Sequence, residues 1–450
     1  MAGITLWMAI WWITEAVHLT VTAFIPFLFL PLTGIAEAGA VAKQYSDSII
    51  FLFIGGFIIA FAIEKYELHR RISLKILSVV GSNPKNILIG VMLSAYLISN
   101  WISNTATTIM LLGAVTSLVI EMKNQFIDNH HRFAAAVLLG LAYSATIGGM
   151  ATPVGTPPNM YFFKEYLKNY PNNHDLNFLS WTLIGFPLSF LLLCSCYLIL
   201  SRYFLKGVQT VGTRKSYFKD MYSQLGKPTY EQKVIIGVFI SCVILWFTRE
   251  DIVLDGFTFT GWKHIFSVPK AVDDGCVAIA ASLLLFVIPS KMNPGQPILL
   301  WNDVKNIRYD IILLFGSGFA LAFGFESSGL SDWLASQLLV LKNVHPLLLI
   351  LGICAVVNLI SEFASNIASI QLCIPVLIAV QKEIGVHPLL LMLPATFAAS
   401  LGFMLPVATA ANTIVFGSNY IALRDMLKVG LILDFAGILI ISLMVYFTLG

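Results

Sequence analysis

The chain has 450 residues, of which 58% are hydrophobic and only 11% charged, and its formal net charge is +3. Soluble proteins are about a quarter charged, so there is too little polar surface here to cover a water-soluble body. The small net charge, with no basic cluster interleaved with aromatics, also excludes a nucleic-acid-binding role.

The apolar residues come in runs, and a run of roughly 20 residues matches the hydrocarbon core of a bilayer. In chain order, 4–33 reads as one long span or as two short ones meeting near Thr14–Thr20, and 47–64 spans. Residues 86–121 form an apolar stretch interrupted at its middle, and 133–163 spans with a Gly/Pro interruption at 148–158. Residues 179–201, 234–248, 275–289 and 309–326 span. Residues 346–381 are a second interrupted stretch, 388–423 spans with an interruption at 402–412, and 428–449 is the last span. No signal-peptide pattern precedes them: Met1–Trp12 is already apolar and lacks a charged leading region. Cys194, Cys196, Cys242, Cys276, Cys354 and Cys373 are scattered, form no C-x-x-C pair, and read as packing residues.

Lys and Arg set the orientation, because cytoplasmic loops carry their excess. Loops at 65–85, 123–132, 202–233, 291–308 and 424–428 hold 19 of the 27 basic residues, and the remaining loops hold 8. The partition is this lopsided only if 86–121 and 346–381 are hairpins that enter and leave on one side. The first then opens from the cytoplasm and the second from outside.

The two halves resemble each other. Phe51–Leu68 aligns with Leu313–Leu330 without gaps, with 8 of 18 positions identical, Glu64 with Glu326 among them. At the same offset Ser99–Ala106 (SNWISNTA) aligns with Ser361–Ala368 (SEFASNIA), and Thr152–Asn159 (TPVGTPPN) then aligns with Leu405–Asn412 (LPVATAAN). Shared Leu or Phe would prove nothing in apolar segments; shared Ser, Asn, Pro and Glu in one order indicate duplication. With the charge partition, the copies are inverted, and inverted repeats with paired broken helices place a binding site near the midplane. The expected fold is an all-α polytopic membrane protein of two inverted repeats, each with a re-entrant helical hairpin and a broken transmembrane helix. The expected division is 1–201 (hairpin 86–121, broken helix 133–163), a cytoplasmic linker 202–233, and 234–450 (hairpin 346–381, broken helix 388–423).

Irregular backbone inside a bilayer is tolerated only where it is buried in protein or lines a cavity. The breaks are Ser103-Asn104-Thr105, Gly155–Asn159, Ser365-Asn366-Ile367 and Ala408–Asn412. A half-helix N-terminus suits an anion, and a C-terminus with free carbonyls suits a hard cation. Ser and Asn gluing helices together is the plainer explanation for one such pair; two symmetry-related pairs, each followed by a second break, favour binding. No Lys or Arg lies in 86–121, 133–163, 346–381 or 388–423. A bound dianion must then rely on dipoles and amides or on a co-bound cation, which favours cation coupling. Glu362 reads as a hydrogen-bonded hairpin brace or a protonation site, and Glu15 as an interface brace. Asp434 has no visible partner, and His130-His131 reads as a solvated loop pair.

These motifs resemble the divalent anion/sodium symporter family of di- and tricarboxylate transporters. The matching residues are Trp11–Ala16 (W-W-x-T-E-A), Ser103–Thr105 (S-N-T), Gly155–Asn159 (G-T-P-P-N), Glu362–Asn366 (E-F-x-S-N) and Leu405–Thr409 (L-P-V-A-T), nearly end to end. The resemblance implies a homodimer whose transport domain moves as an elevator against a scaffold. It implies one sodium site at Ser99, Ser103, Asn104 and Gly155 and a second at Ser361, Ala364, Asn366 and Ala408. The anion would meet Ser103, Asn104, Thr105, Ser365 and Asn366. Three departures stand out: Ile367 replaces a threonine hydroxyl, Ala410-Ala411 replaces prolines, and no prolines follow Thr14-Glu15-Ala16. The family carries a further helix ahead of Trp11, so a truncated start is expected.

The expected function is sodium-coupled uptake of a small dicarboxylate (succinate, malate or fumarate), with sodium as coupling ion and no other cofactor, in a bacterial inner (plasma) membrane. Sodium-independent dicarboxylate exchange is the alternative, with sulfate or citrate as lesser substrates and a passive channel behind them. An intramembrane enzyme using Ser103 or Ser365 needs a base within reach, and the interrupted segments contain no His or Lys.

Overall fold

The computed structural model describes all residues except 82, 126–129, 172–175, 209–216, 255–256, 306–308, 338–343 and 450. Arg214, Lys215, Arg308 and Lys342 of the charge partition lie outside the described residues. Among those described, nine helices are long and apolar enough to cross a bilayer, and the one strand pair is a short antiparallel hairpin, Ile252–Leu254 with Phe257–Phe259. The chain is an integral membrane protein; most of the expected spans are long helices, while 275–289 holds the shorter Asp274–Val287.

Both interrupted stretches are helical hairpins. The first joins Pro84–Ser99 to Asn104–Glu121, and the second joins Pro346–Phe363 to Asn366–Ile384. Each second arm starts on a serine cap: Ser103 Oγ accepts from Ala106 N at 3.4 Å, and Ser365 Oγ from Ala368 N at 3.3 Å. A Ser-Asn pair therefore turns the chain twice, because the serine satisfies a backbone donor that a helix start leaves free. The broken helices are His130–Gly149 with Pro157–Asn169, and Pro388–Ala398 with Ala410–Phe416. The second break runs over 399–409, a few residues earlier than the sequence pattern placed it. Nearly the whole of His130–Gly149 is buried, so this apolar helix sees protein on all sides.

Residues 4–33 resolve into short pieces rather than one span. Ala2–Thr14 ends at Glu15, whose φ of 47° is left-handed, and Leu19–Thr22 and Ile25–Leu32 follow. Glu15 is exposed and closes this helix, where the sequence suggested a brace. His130-His131 opens the central helix instead of lying in a loop. The His130 ring nitrogen lies 2.8 Å from Val119 O, and both rings contact Tyr420.

The polar contacts between segments respect the charge partition. On the side assigned to the cytoplasm, Lys65 pairs with Asp303 at 2.6 Å, Arg132 donates to Tyr203 O, and Tyr203 Oη donates to Asp425. On the other, Lys164 pairs with Asp47, Lys168 with Glu326 and Arg249 with Asp274. Arg71 projects from an amphipathic helix that the hydropathy pattern did not reveal, Leu68–Val80, and donates to Gln232 Oε1, Gly226 O and Leu225 O. The linker is thereby fastened to the first half.

Candidate functional site

The two hairpin tips meet at one cavity of about 340 Å³. Ser103, Asn104 and Thr105 line it from one side and Ser365, Asn366 and Ile367 from the other. The broken helices add Thr156, Pro157 and Pro158, and Val407 to Ala411. Two further walls are the break after the first helix (Glu15, His18, Leu19, Thr20) and the start of Tyr309–Ser327 (Asp310, Ile311, Leu314). Asp310, Glu15 and His18 were not foreseen as cavity residues. Nothing in their local pattern places them there, because they reach the cavity only through packing between distant segments.

The helices that follow the two tips and the two breaks all begin at this cavity: Asn104–Glu121, Pro157–Asn169, Asn366–Ile384 and Ala410–Phe416. Each long helix start carries roughly half a positive charge. Among the described residues no Lys or Arg lines the cavity, so the positive ends available to an anion there are helix starts, hydroxyls and amides, alongside the acids Glu15 and Asp310. Ile367 is 8% exposed and replaces with a methyl-bearing wall the hydroxyl that Thr105 offers at the matching position.

Ser99, Gly155, Ser361 and Ala364 lie off the cavity, buried behind the tips, where each half holds a compact set of oxygens. Ser99 Oγ donates to Asn104 Oδ1 at 2.9 Å. A Cβ on Gly149 would collide with Asn104 Oδ1, and one on Gly155 would lie 2.5 Å from Gly149 O and 3.0 Å from Asn100 O. Glycine at both positions lets backbone carbonyls close on the asparagine. In the second half Ser361 Oγ is 3.0 Å from Asn366 Oδ1 and 2.5 Å from Ala399 O. A Cβ on Gly402 would touch Ala408 Cβ at 3.0 Å and Asn366 Oδ1 at 3.5 Å.

The breaks are clamped alike. Asn159 Nδ2 donates to Gly149 O and Thr152 O at 2.9 and 2.8 Å; Asn412 Nδ2 donates to Gly402 O and Leu405 O at 2.9 and 3.1 Å. Glu362 adds a brace in the second half: Oε1 accepts from Phe403 N and Met404 N, and Oε2 from Leu405 N, all within 2.9 Å.

The sodium:sulfate symporter transmembrane region matches residues 1–449. The sodium-dependent dicarboxylate transporter SdcS of Staphylococcus aureus strain MW2 is 36% identical over 461 residues, covering 99% of this chain and 85% of the relative, and that of strain MRSA252 is 36% identical over 459 residues with the same coverage. Among solved structures, Neisseria gonorrhoeae MtrF, described as illuminating a class of antimetabolite efflux pumps, superposes with a TM-score of 0.59 at 14% identity, covering 94% of this chain and 85% of that one. The Alcanivorax borkumensis YdaH transporter, described as having an unusual topology, gives 0.56 at 13% identity, covering 90% and 86%. At such identities the likeness is one of fold alone.

Proposed function

We propose that this chain, which belongs to the sodium:sulfate symporter family, imports small C4-dicarboxylates (succinate, malate, fumarate) together with sodium by an elevator movement. The observation that carries the reading is the cavity where both Ser-Asn tips converge, walled by helix starts and, among the described residues, without Lys or Arg. The name and identity of the Staphylococcus aureus relatives support it. Asn104, Thr105, Ser103, Ser365 and Asn366 take the anion. Ser99, Ser103, Asn104 and Gly155 hold one sodium; Ser361, Ala364, Asn366 and Ala408 hold the other. Both sets offer only hydroxyl, amide and carbonyl oxygens, the donors a hard cation takes.

Electrostatics gives sodium its role. Glu15 stands in the cavity wall, where no Lys or Arg is among the described lining residues. A dianion entering that low-dielectric space is strongly opposed until cations occupy the adjoining oxygen sets. In this reading 1–201 and 234–450 are the two inverted repeats joined by 202–233, two copies form a homodimer, and the hairpins and broken helices carry the substrate past the remaining helices.

Ile367 favours a second reading, sodium-independent exchange, because the second half offers one polar group fewer than the first. Uptake of labelled succinate into proteoliposomes under an imposed inward sodium gradient separates the two. Accumulation that follows the gradient is expected. Accumulation that ignores sodium and needs only internal dicarboxylate establishes exchange instead, and saturable counterflow excludes a channel. A related prediction concerns the asymmetry itself. Ile367→Thr adds one hydroxyl beside the anion and is expected to change apparent succinate affinity or preference by about 3- to 10-fold, the worth of one such hydrogen bond. Thr156→Ser keeps its hydroxyl and is expected to change little. Equal, negligible effects in competition uptake mean that Ile367 does not face the anion.

A further inference from the structure

The interfacial helix Leu68–Val80 carries two buried polar atoms with no hydrogen-bond partner among the described residues, His69 Nδ1 and Ser73 Oγ. The two residues are 9% and 6% exposed and stand one turn apart on one face of the helix. A serine inside a helix commonly donates back to the carbonyl four residues earlier. Ser94 and Ser117 do so, to Gly90 O and Gly113 O at 2.8 Å, and Ser73 does not. Buried polar atoms are costly to leave unpaired, so two of them on one face point to a ligand that bonds both.

His69 and Ser73 line a cavity of about 320 Å³, separate from the one at the hairpin tips. Its walls come from Leu68–Val80, both arms of the first hairpin and the linker helix Tyr217–Gln224. Leu74, Leu77, Val91, Leu111 and Leu118, each at most 8% exposed, make its inner surface apolar. The ion pair Glu67–Arg70, at 3.1 Å, stands at its exposed edge. One water bridging His69 and Ser73 takes up a small part of this volume, and further waters against the apolar wall find no partners. An apolar space with a few convergent polar groups suits a small amphiphile instead. A hydroxyl both donates and accepts, so it satisfies His69 Nδ1 in either tautomer and Ser73 Oγ as well. A carboxylate or phosphate only accepts, and among the described lining residues the one Lys or Arg is Arg70, already paired with Glu67. Two unpaired atoms one turn apart therefore call for two hydroxyls on one uncharged head, and the apolar wall for an aliphatic chain.

We propose that this cavity binds a single-chain lipid with a glycerol head, a monoacylglycerol, and that the bound lipid restrains the first hairpin. Its two hydroxyls pair with His69 and Ser73, and its chain lies against the hairpin arms. The restraint follows from what stands on either side. Arg71, on the same helix, donates to Leu225 O, Gly226 O and Gln232 Oε1, so Leu68–Val80 is fastened to the linker. Across the cavity, Val91 and Ser94 belong to the arm that leads into the Ser103-Asn104 tip, and Leu111 and Leu118 to the arm that leaves it. A lipid held between them ties the hairpin to the fastened helix. The binding half of the proposal needs no transport; the restraint rests on the transport reading, in which the hairpin moves.

The test uses the full chain in lipid nanodiscs and a photoreactive 1-monodecanoylglycerol that carries a diazirine on its chain. Saturable labelling within 67–77 and 110–118, located by mass spectrometry, is expected. Unlabelled 1-monodecanoylglycerol is expected to compete about 10-fold better than methyl decanoate or decanoate, which lack the two hydroxyls, the worth of two hydrogen bonds. His69→Phe with Ser73→Ala is expected to weaken labelling by about the same factor. Gly113→Leu, at a lining position where a Cβ meets no atom within 4 Å, is the second variant should the double one fail to fold, and is expected to lose labelling by occupying the cavity. Labelling that does not saturate, that methyl decanoate displaces equally well, or that survives undiminished in the folded variants overturns the site. In proteoliposomes the same lipid is expected to lower the maximal rate of succinate uptake without changing the half-saturating succinate concentration, and to lose that effect in the double variant. Saturable labelling with uptake unaltered overturns the restraint. A wild type that takes up no succinate sinks the transport reading and the restraint with it, while the labelling alone decides the site.

Discussion

Succinate uptake is expected to fall at least about 100-fold in Asn104→Ala and, separately, in Asn366→Ala, with folded protein in both, because each change removes contacts to charged ligands worth about 1.5–3 kcal/mol apiece. Each asparagine occupies the first helical position after its capping serine, so its amide projects at the hairpin tip. There it faces two ways. Both residues line the cavity, and their Oδ1 atoms accept from Ser99 and Ser361 within the buried oxygen sets. In the proposed assignment one truncation therefore strips a ligand from the anion and one from a cation. The fold is expected to tolerate it, since alanine is the better helix former and the serine caps remain. Wild-type uptake in both variants, with matching melting curves and yields, refutes the placement of the site. Loss in only one variant shows that a single half binds.

The spans were legible because a bilayer forces its own signature on the chain: long apolar runs with polar breaks only where protein covers them. The hairpins were legible for a less local reason. Only re-entrant paths at 86–121 and 346–381 reconcile the Lys and Arg partition, and Lys65–Asp303 and Lys164–Asp47 join residues that this partition had put on the same side. The tips were legible as paired Ser-Asn motifs, and the structure brings both to one cavity. Glu362 proved to be a brace, as its position three residues before Ser365 suggested. What stayed hidden was contact between segments that share no pattern. Asp310 and His18 lie hundreds of residues apart in sequence yet wall the same cavity. Asp434 is buried only through the packing of the last helix, which no local pattern announces. Leu68–Val80 escaped because its mean hydropathy is too low to stand out beside the spans; only its helical periodicity distinguishes it.

Asn412→Ala is expected to destabilise the protein by roughly 1–3 kcal/mol for the buried Gly402 carbonyl it orphans, with a smaller addition from the part-buried Leu405 carbonyl. The amide of Asn412 holds Gly402 O and Leu405 O, and inside a bilayer no water replaces it. Asn159 does the same for Gly149 O and Thr152 O, so Asn159→Ala removes as many bonds. The two breaks are not equally protected, however. Pro157 and Pro158 preset the backbone at the start of Pro157–Asn169 and leave fewer donors to satisfy, whereas Ala410 and Ala411 leave that task to Thr409 and Asn412. The melting order is therefore wild type, then Asn159→Ala, then Asn412→Ala. Function should follow the same geometry. Gly402 and Ala408 flank Asn366, so loosening 402–405 opens the second oxygen set and raises the sodium concentration needed for half-maximal uptake more than it changes succinate affinity. Thermal melting in detergent and sodium titration of uptake check the two halves of this expectation. A wild-type melting temperature in Asn412→Ala means that the second break is held by Glu362 alone, and an unchanged sodium requirement in a destabilised Asn412→Ala separates the clamp from the cation.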